Sequence, residues 1–350
     1  TPSVADAVGL YARKLRHCAC PLEEPSSASA AATLAAAADH VVLVLGTDLR
    51  VSEGSDANAL NGTSLNTTTL DLVDAVVSAA KKPIVVVLVT AIALDVSPLL
   101  KRSGVGAVLH AGQPSAAALG LGGVLFGRVS PAGRMAQTLY PAAFAADVSP
   151  FDMGLRPGLS TFPAPNCSPE LAPCSASFNP GRTHRFYAGA PVVPFGFGLS
   201  YTSFSYALAD APQANVSLDR VREHLASRPA DASLLSTAHT AAAEPPLARF
   251  EVEVSNTGAV ASDDVVLGFL VPPGAGEGGV PRQMLFGFER VHVLPGESVR
   301  VALSPNLLDF TQPDHDGVRK AHAGEYTVRF GVAETAAFGM GYLEHRMVAV

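Results

Sequence analysis

Three uninterrupted apolar runs constrain this chain more than any other feature. They are Val41-Val42-Leu43-Val44-Leu45-Gly46, Ile84-Val85-Val86-Val87-Leu88-Val89 and Val105 to His110. Runs of this length, rich in β-branched residues and without polar alternation, mark strands covered on both faces. Helical patterns lie between them. An Ala-rich run, Ala28 to Ala38, precedes the first strand. Residues 67–80 turn Leu70, Val73, Ala75, Val76 and Val77 inward, with Thr67 or Thr68 as the cap, and Pro83 breaks the pattern. Leu99 to Arg102 reads as a helical turn and Ser115 to Phe126 as a Gly/Ala-rich helix. Strand–helix alternation of this kind predicts an α/β open parallel sheet sandwiched by helices, with ligands at the carboxyl ends of its strands.

Past Ala248 the period changes to two. Phe250-Glu251-Val252-Glu253-Val254 alternates, Asn256-Thr257-Gly258 is a turn, and the pattern continues through 265–271, 283–293, 299–303 and 326–332. Short alternating strands separated by turns predict an antiparallel β-sandwich of roughly 100 residues. Between the two patterns, Asp147 to Thr202 is rich in Pro, Gly and aromatics and reads as a strap over the first domain. Residues 207–246 carry four prolines and read as a linker or surface excursion, with one helix near Leu218 to Ala226. The expected division is therefore 1–206, 207–247 and 248–350.

Composition narrows the function. With 24 Lys and Arg against 31 Asp and Glu, the net charge is −7. No basic run offers itself to nucleic acid or to an anionic membrane face. The longest apolar stretch, Ile84 to Leu94, is far short of the ~20 residues a spanning helix needs. The chain opens on Thr1-Pro2 without a leader pattern, and it reads as a piece of something longer. Four sequons, at Asn61, Asn66, Asn166 and Asn215, together with loop cysteines favour a secretory route. Cys167 and Cys174 flank a Pro-rich stretch that a disulfide would close into a short loop. Cys18 and Cys20 look too close for an easy mutual bridge, so one of them is expected to pair elsewhere. His17 beside them has no second ligand pair at metal-binding spacing, so no metal is expected.

Chemistry is expected in the loop after the first apolar run, Gly46-Thr47-Asp48-Leu49-Arg50-Val51-Ser52-Glu53-Gly54-Ser55-Asp56. Glu53 is the only glutamate between Glu24 and Glu170, so a catalytic glutamic acid in the α/β domain would be this one. The plain alternative is a solvated loop acid. Asp48 and Asp56 flank it; turn chemistry is the first reading for both, and orienting a neighbour or holding a sugar hydroxyl the second. No Gly-x-Gly-x-x-Gly follows the strand and no Gly-x-Ser-x-Gly elbow occurs, which leaves dinucleotide binding and serine hydrolysis unsupported. Phe186, Tyr187, Phe195, Phe197, Tyr201 and Phe204 read as a packed cluster more than as a sugar platform.

Several stretches in order carry a resemblance. They are Ser52-Glu53-Gly54-Ser55-Asp56, Leu125-Phe126-Gly127-Arg128-Val129-Ser130-Pro131-Ala132-Gly133-Arg134, Asn179-Pro180-Gly181-Arg182-Thr183-His184-Arg185-Phe186-Tyr187 and Pro194-Phe195-Gly196-Phe197-Gly198-Leu199-Ser200-Tyr201-Thr202. With these the chain resembles the C-terminal two-thirds of a family 3 glycoside hydrolase, and the tail resembles its fibronectin type III-like (immunoglobulin-like) domain. Asp152-Met153-Gly154-Leu155-Arg156-Pro157 and the loop cysteines resemble the β-xylosidase and α-arabinofuranosidase branch. The resemblance implies a secreted retaining glycosidase whose Asp nucleophile sits on an N-terminal barrel absent here. It implies Glu53 as the acid/base, an oligosaccharide or plant-type cell-wall polysaccharide as substrate, and no cofactor. The 350 residues alone would then be inactive. One departure stands out: Ala57 follows Asp56 where the family has Arg. It motivates a non-catalytic carbohydrate-binding or adhesion protein as the alternative, with a β-glucosidase as the third reading.

Overall fold

The computed structural model describes residues 2–21, 24, 26–46, 64–164, 176–212, 215–227, 244–314, 316–332 and 341–350. Strands β1 (Val42–Gly46), β2 (Ile84–Val89) and β3 (Val105–Gly112) form a parallel sheet in that order. Helix α1 (Val4–Gly9) and helix α2 (Ser27–Ala37) precede β1, α3 (Thr67–Ala79) joins β1 to β2, and α4 (Ser97–Leu100) joins β2 to β3. The cap of α3 is Asn66, not Thr67 or Thr68: its side chain accepts the Thr69 N–H at 2.8 Å. Asn66 is the last extended residue, and both threonines are already helical.

The expectation of strands buried on both faces holds for β2 alone. There Ile84, Val86, Val87 and Leu88 are fully buried, whereas on β1 only Leu45 is buried and Val44 is 45% exposed. The reason is position, because β2 is central and β1 and β3 flank it. The long Gly/Ala helix expected over 115–126 is also broken, into a 3₁₀ turn (Ser115–Leu119) and a short α5 (Gly120–Leu125). Glycines favour such a break. Gly122 also lets α5 press on α1, where a Cβ would run into the Ala7 carbonyl.

Cys18 and Cys20 are disulfide-bonded to each other, contrary to expectation. Their Cα atoms are 5.4 Å apart across one intervening residue, inside the range a bridge requires. Cys167 and Cys174 lie outside the described residues.

Helix α6 (Ala143–Asp147) leads into the strap, which holds the hairpin β4 (Gly158–Pro163) with β5 (Ala176–Asn179), and α7 (Thr183–Phe186). Asp152 and Asn179 tie two parts of the strap together. The Asp152 carboxylate accepts the Gly154 N–H at 2.7 Å and the Asn179 amide at 3.2 Å. Those donors, Gly154 first, hold its pKa below the usual carboxylate value.

The sandwich starts earlier than expected. Strand β6 (Phe204–Asp210) pairs with β8 (Phe250–Asn256), so the boundary drawn at 206/207 cuts a strand. Short β7 (Asn215–Val216) and α8 (Asp219–Ala226) follow, and Leu218 and Val221 are buried in the sandwich core. Residues 207–212 and 215–226 are thus part of the sandwich, because Leu208, Leu218 and Val221 have that core to enter. The remaining strands are β9 (Ser262–Val271), β10 (Met284–Val293), β11 (Ser298–Leu303), β12 (Thr311–Pro313), β13 (Arg319–Ala321), β14 (Gly324–Gly331) and β15 (Tyr342–Ala349). One sheet runs β11-β8-β6 and the other β10-β9-β14-β15-β7. Strand β8 alternates buried and half-buried residues along its length, as its sequence does.

Strand β9 joins the two halves. Val266 and Leu270 face the sandwich core, while Leu267 and Phe269 face the other way, into the core of the α/β half. Period two puts those pairs on opposite faces, and both faces are covered. A polar lock sits beside them. Arg134 donates to the Gly198 carbonyl and to Asp264, and the Tyr206 hydroxyl donates to the other Asp264 oxygen at 2.6 Å. Burial, reinforced by Asp264, pushes the Tyr206 pKa up. Among the described residues no helix is long and apolar enough to cross a membrane.

Candidate active site

Parallel pairing brings three strand ends to one rim. Gly46 is in register with Val89, and Val89 with Gly112. Gly46 has to be glycine, since a Cβ there would stand 2.7 Å from the Val89 carbonyl oxygen. Gly112 takes φ +60°, the left-handed region, and turns the chain away from the sheet.

The predicted site residues Asp48, Glu53, Asp56 and the sequon residue Asn61 all fall within 47–63, outside the described residues. Asn166 also lies outside the described residues. The flanking residues are described: Gly46 ends β1 on this rim, and Ser64 bridges in parallel to Asp95 after β2.

Asp95 organises that side of the rim. It is buried; one carboxylate oxygen accepts the Ser97 N–H at 2.8 Å, opening α4, and the other accepts the Ala142 N–H at 2.9 Å. Thr90, buried at the end of β2, accepts the Ile92 N–H at 3.2 Å. On β3, His110 pairs with Leu88 and is half-buried. Burial lowers its pKa below the usual imidazole value. The sequence reading passed over Asp95 and His110. His110 ended an apolar run and was absorbed into it, and Asp95 stood in a segment without a motif.

The aromatic cluster is packed except at Tyr201, whose ring is exposed while its hydroxyl is bonded. Phe186 and Phe197 are buried, and the Tyr201 hydroxyl donates to the Val124 carbonyl at 2.7 Å. Tyr187 meets Tyr140 edge-on at 4.9 Å. Two of the four sequons are described. Asn66 and Asn215 are both exposed, and Asn66 caps α3 through its oxygen, which leaves its nitrogen outward for a glycan.

Comparison with known proteins agrees with this architecture. The pattern of the glycosyl hydrolase family 3 C-terminal domain matches residues 3–201, and that of the fibronectin type III-like domain matches 264–333. A probable exo-1,4-β-xylosidase of Aspergillus oryzae is 35% identical over 274 residues, covering 77% of this chain and 30% of the relative. β-D-xylosidase 1 of Arabidopsis thaliana is 31% identical over 338 residues, covering 94% of this chain and 41% of the relative. The chain thus spans about 30–42% of such relatives, not the two-thirds expected from the resemblance. A family 3 exo-β-xylosidase solved with a xylobiose aziridine probe superposes with a TM-score of 0.71 at 25% identity, over 93% of this chain and 38% of that one. A β-D-glucoside glucohydrolase of Trichoderma reesei shares the fold, with a TM-score of 0.65 at 22% identity over 92% of this chain and 42% of that one. Parallel sheet, strap and sandwich follow in the family's order, and the chain belongs to glycosyl hydrolase family 3, of which it carries the C-terminal α/β domain and the fibronectin type III-like domain.

Proposed function

We propose that this chain is the acid/base-bearing C-terminal portion of a secreted retaining β-glycosidase of the β-xylosidase type. The observation that carries the reading is the 35% identity to a probable exo-1,4-β-xylosidase over 274 residues, 77% of this chain. Retention uses two carboxyl groups about 5–5.5 Å apart, one as nucleophile and one as proton shuttle. In this reading the nucleophile comes from the part of the relatives that the chain does not cover, and the sugar lies between it and the rim. Glu53 protonates the leaving oxygen, then takes a proton from the attacking water. Asp48 and Asp56 hold sugar hydroxyls. The exposed sequons Asn66 and Asn215 and the Cys18–Cys20 disulfide support passage through an oxidising, glycosylating compartment. The 350 residues by themselves should not hydrolyse glycosides.

The test is Glu53→Gln in the full-length parent. We expect kcat on an aryl β-xyloside to fall by about 10²–10⁴-fold, with kcat/KM for the xyloside above that for the aryl β-glucoside. Undiminished turnover by Glu53→Gln would remove Glu53 from the mechanism. The non-catalytic alternative rests on Ala57 standing after Asp56. It predicts an inactive parent that still binds xylo-oligosaccharide.

A further inference from the structure

A polar cleft of about 360 Å³ opens between the strap and the sandwich. Three arginines from distant parts of the chain converge on it: Arg156, Arg185 and Arg319. Each is fixed from behind. The Arg156 Nε donates to the Gly279 carbonyl at 2.9 Å, and the Arg319 Nη1 donates to the Thr311 hydroxyl at 2.8 Å. Arg156 and Arg185 stand 5.5 and 5.4 Å from the ring of the buried Phe186, which acts as a wedge for both. The Arg185 carbonyl accepts the Arg282 N–H at 2.6 Å, pinning its backbone to the sandwich.

The positive charge is poorly balanced. Asp309 is the carboxylate in the lining, and it accepts the Asn306 N–H at 2.7 Å in a capping box. Burial raises its pKa to about 6 despite the pull of Arg319 and Arg185. The Arg185 pKa is lowered by burial and by its two arginine neighbours. No ion pair to a carboxylate is formed by these three arginines among the described residues. The Gln312 amide nitrogen, also in the lining, is buried without a partner. In a chain of net charge −7, three gathered guanidiniums and an idle amide donor call for an anion with further hydrogen-bonding groups.

We propose that this cleft binds an acidic sugar residue, a uronate, with its carboxylate on the arginines and its hydroxyls facing Gln312 and Asp309. A volume of about 360 Å³ is in the range of small-molecule sites, ample for a sugar ring and generous for a bare ion. The choice of a sugar as carrier of the carboxylate rests on the glycosidase reading above. The charge argument does not.

The test is calorimetric titration of the 350-residue chain with methyl β-D-glucuronide, methyl β-D-glucoside and inorganic phosphate at low and moderate salt. Glucuronide should bind, weakening with salt, and the neutral glucoside should not. Arg185→Ala and Arg319→Gln should each weaken it about tenfold or more. Asp309→Asn removes the opposing charge and should tighten glucuronide several-fold, a gain that a damaged fold could not produce. Equal binding of the glucoside, binding of phosphate without glucuronide, or no binding to the unaltered chain would each overturn the proposal. Hydrolysis is scored separately in the parent. An active enzyme that ignores glucuronide sinks only this site, and a glucuronide-binding parent without turnover sinks only the catalytic reading.

Discussion

The two halves of the molecule obtain their cores differently. The sandwich closes on itself: Phe250, Tyr326, Val328 and Phe330 are buried among residues of its own two sheets. The α/β half borrows. Its core includes Leu267, Phe269 and Val332, which belong to the sandwich's five-stranded sheet and the turn after it. Of its three strands only the central one has most of its residues buried. The sandwich is thus a self-sufficient layer, and the parallel sheet is a dependent one that uses β9 as part of its wall.

That asymmetry can be broken or sharpened by substitution. Phe269→Ala removes a ring that sits wholly in the borrowed wall, where it meets Phe195 and Tyr342 edge-on. We expect a loss of about 3–5 kcal/mol, with amide protection falling in β2 as well as in β9. Protection lost from β9 alone would mean that the α/β half stands unaided. Leu88→Ala, at the centre of β2, should cost about 2–5 kcal/mol and leave protection in β8 and β14 unchanged. Loss in those strands would make the dependence mutual. A smaller effect separates cap from glycan. Asn66→Ala should cost about 1 kcal/mol in α3, whereas Asn66→Asp keeps the accepting oxygen and should cost little in unglycosylated protein. Equal losses in urea melts would show that the cap contributes nothing.

The same asymmetry explains what could be read from sequence. Strand β8 was legible because one of its faces is wet, which makes polar and apolar residues alternate. Strand β6 carries a similar alternation in Phe204, Tyr206 and Leu208, yet the Pro- and Ala-rich segment after it drew the boundary to 206/207. The apolar runs located all three parallel strands. They could not show that β1 and β3 flank β2, because flanking depends on what stands beside a strand. For the site, the strand ends pointed to the rim, and Gly46 and Ser64 lie on it. The acids between them fall outside the described residues. The arginine cleft was invisible, since 156, 185 and 319 share no motif and meet only through packing.

Two side chains in that cleft give the fold a pH behaviour of its own. His184, stacked on Phe195 at 4.2 Å, has its pKa lowered by burial from 6.5 to about 4. Between those values the unfolded chain holds the extra proton, so His184 makes stability rise with pH. Asp309 has its pKa raised from 3.8 to about 6, so there the folded chain holds the extra proton and stability falls with pH. Each alone tilts the folding equilibrium by up to about tenfold per pH unit. Together, over pH 4 to 6, they oppose one another. His184→Phe should therefore make the protein lose stability relative to the unaltered chain as pH rises through that window, and Asp309→Asn should make it gain. Urea midpoints measured from pH 4 to 6.5 would show it, and difference curves of the same sign would refute it. Over that window the two shifted protons partly offset each other's effect on stability.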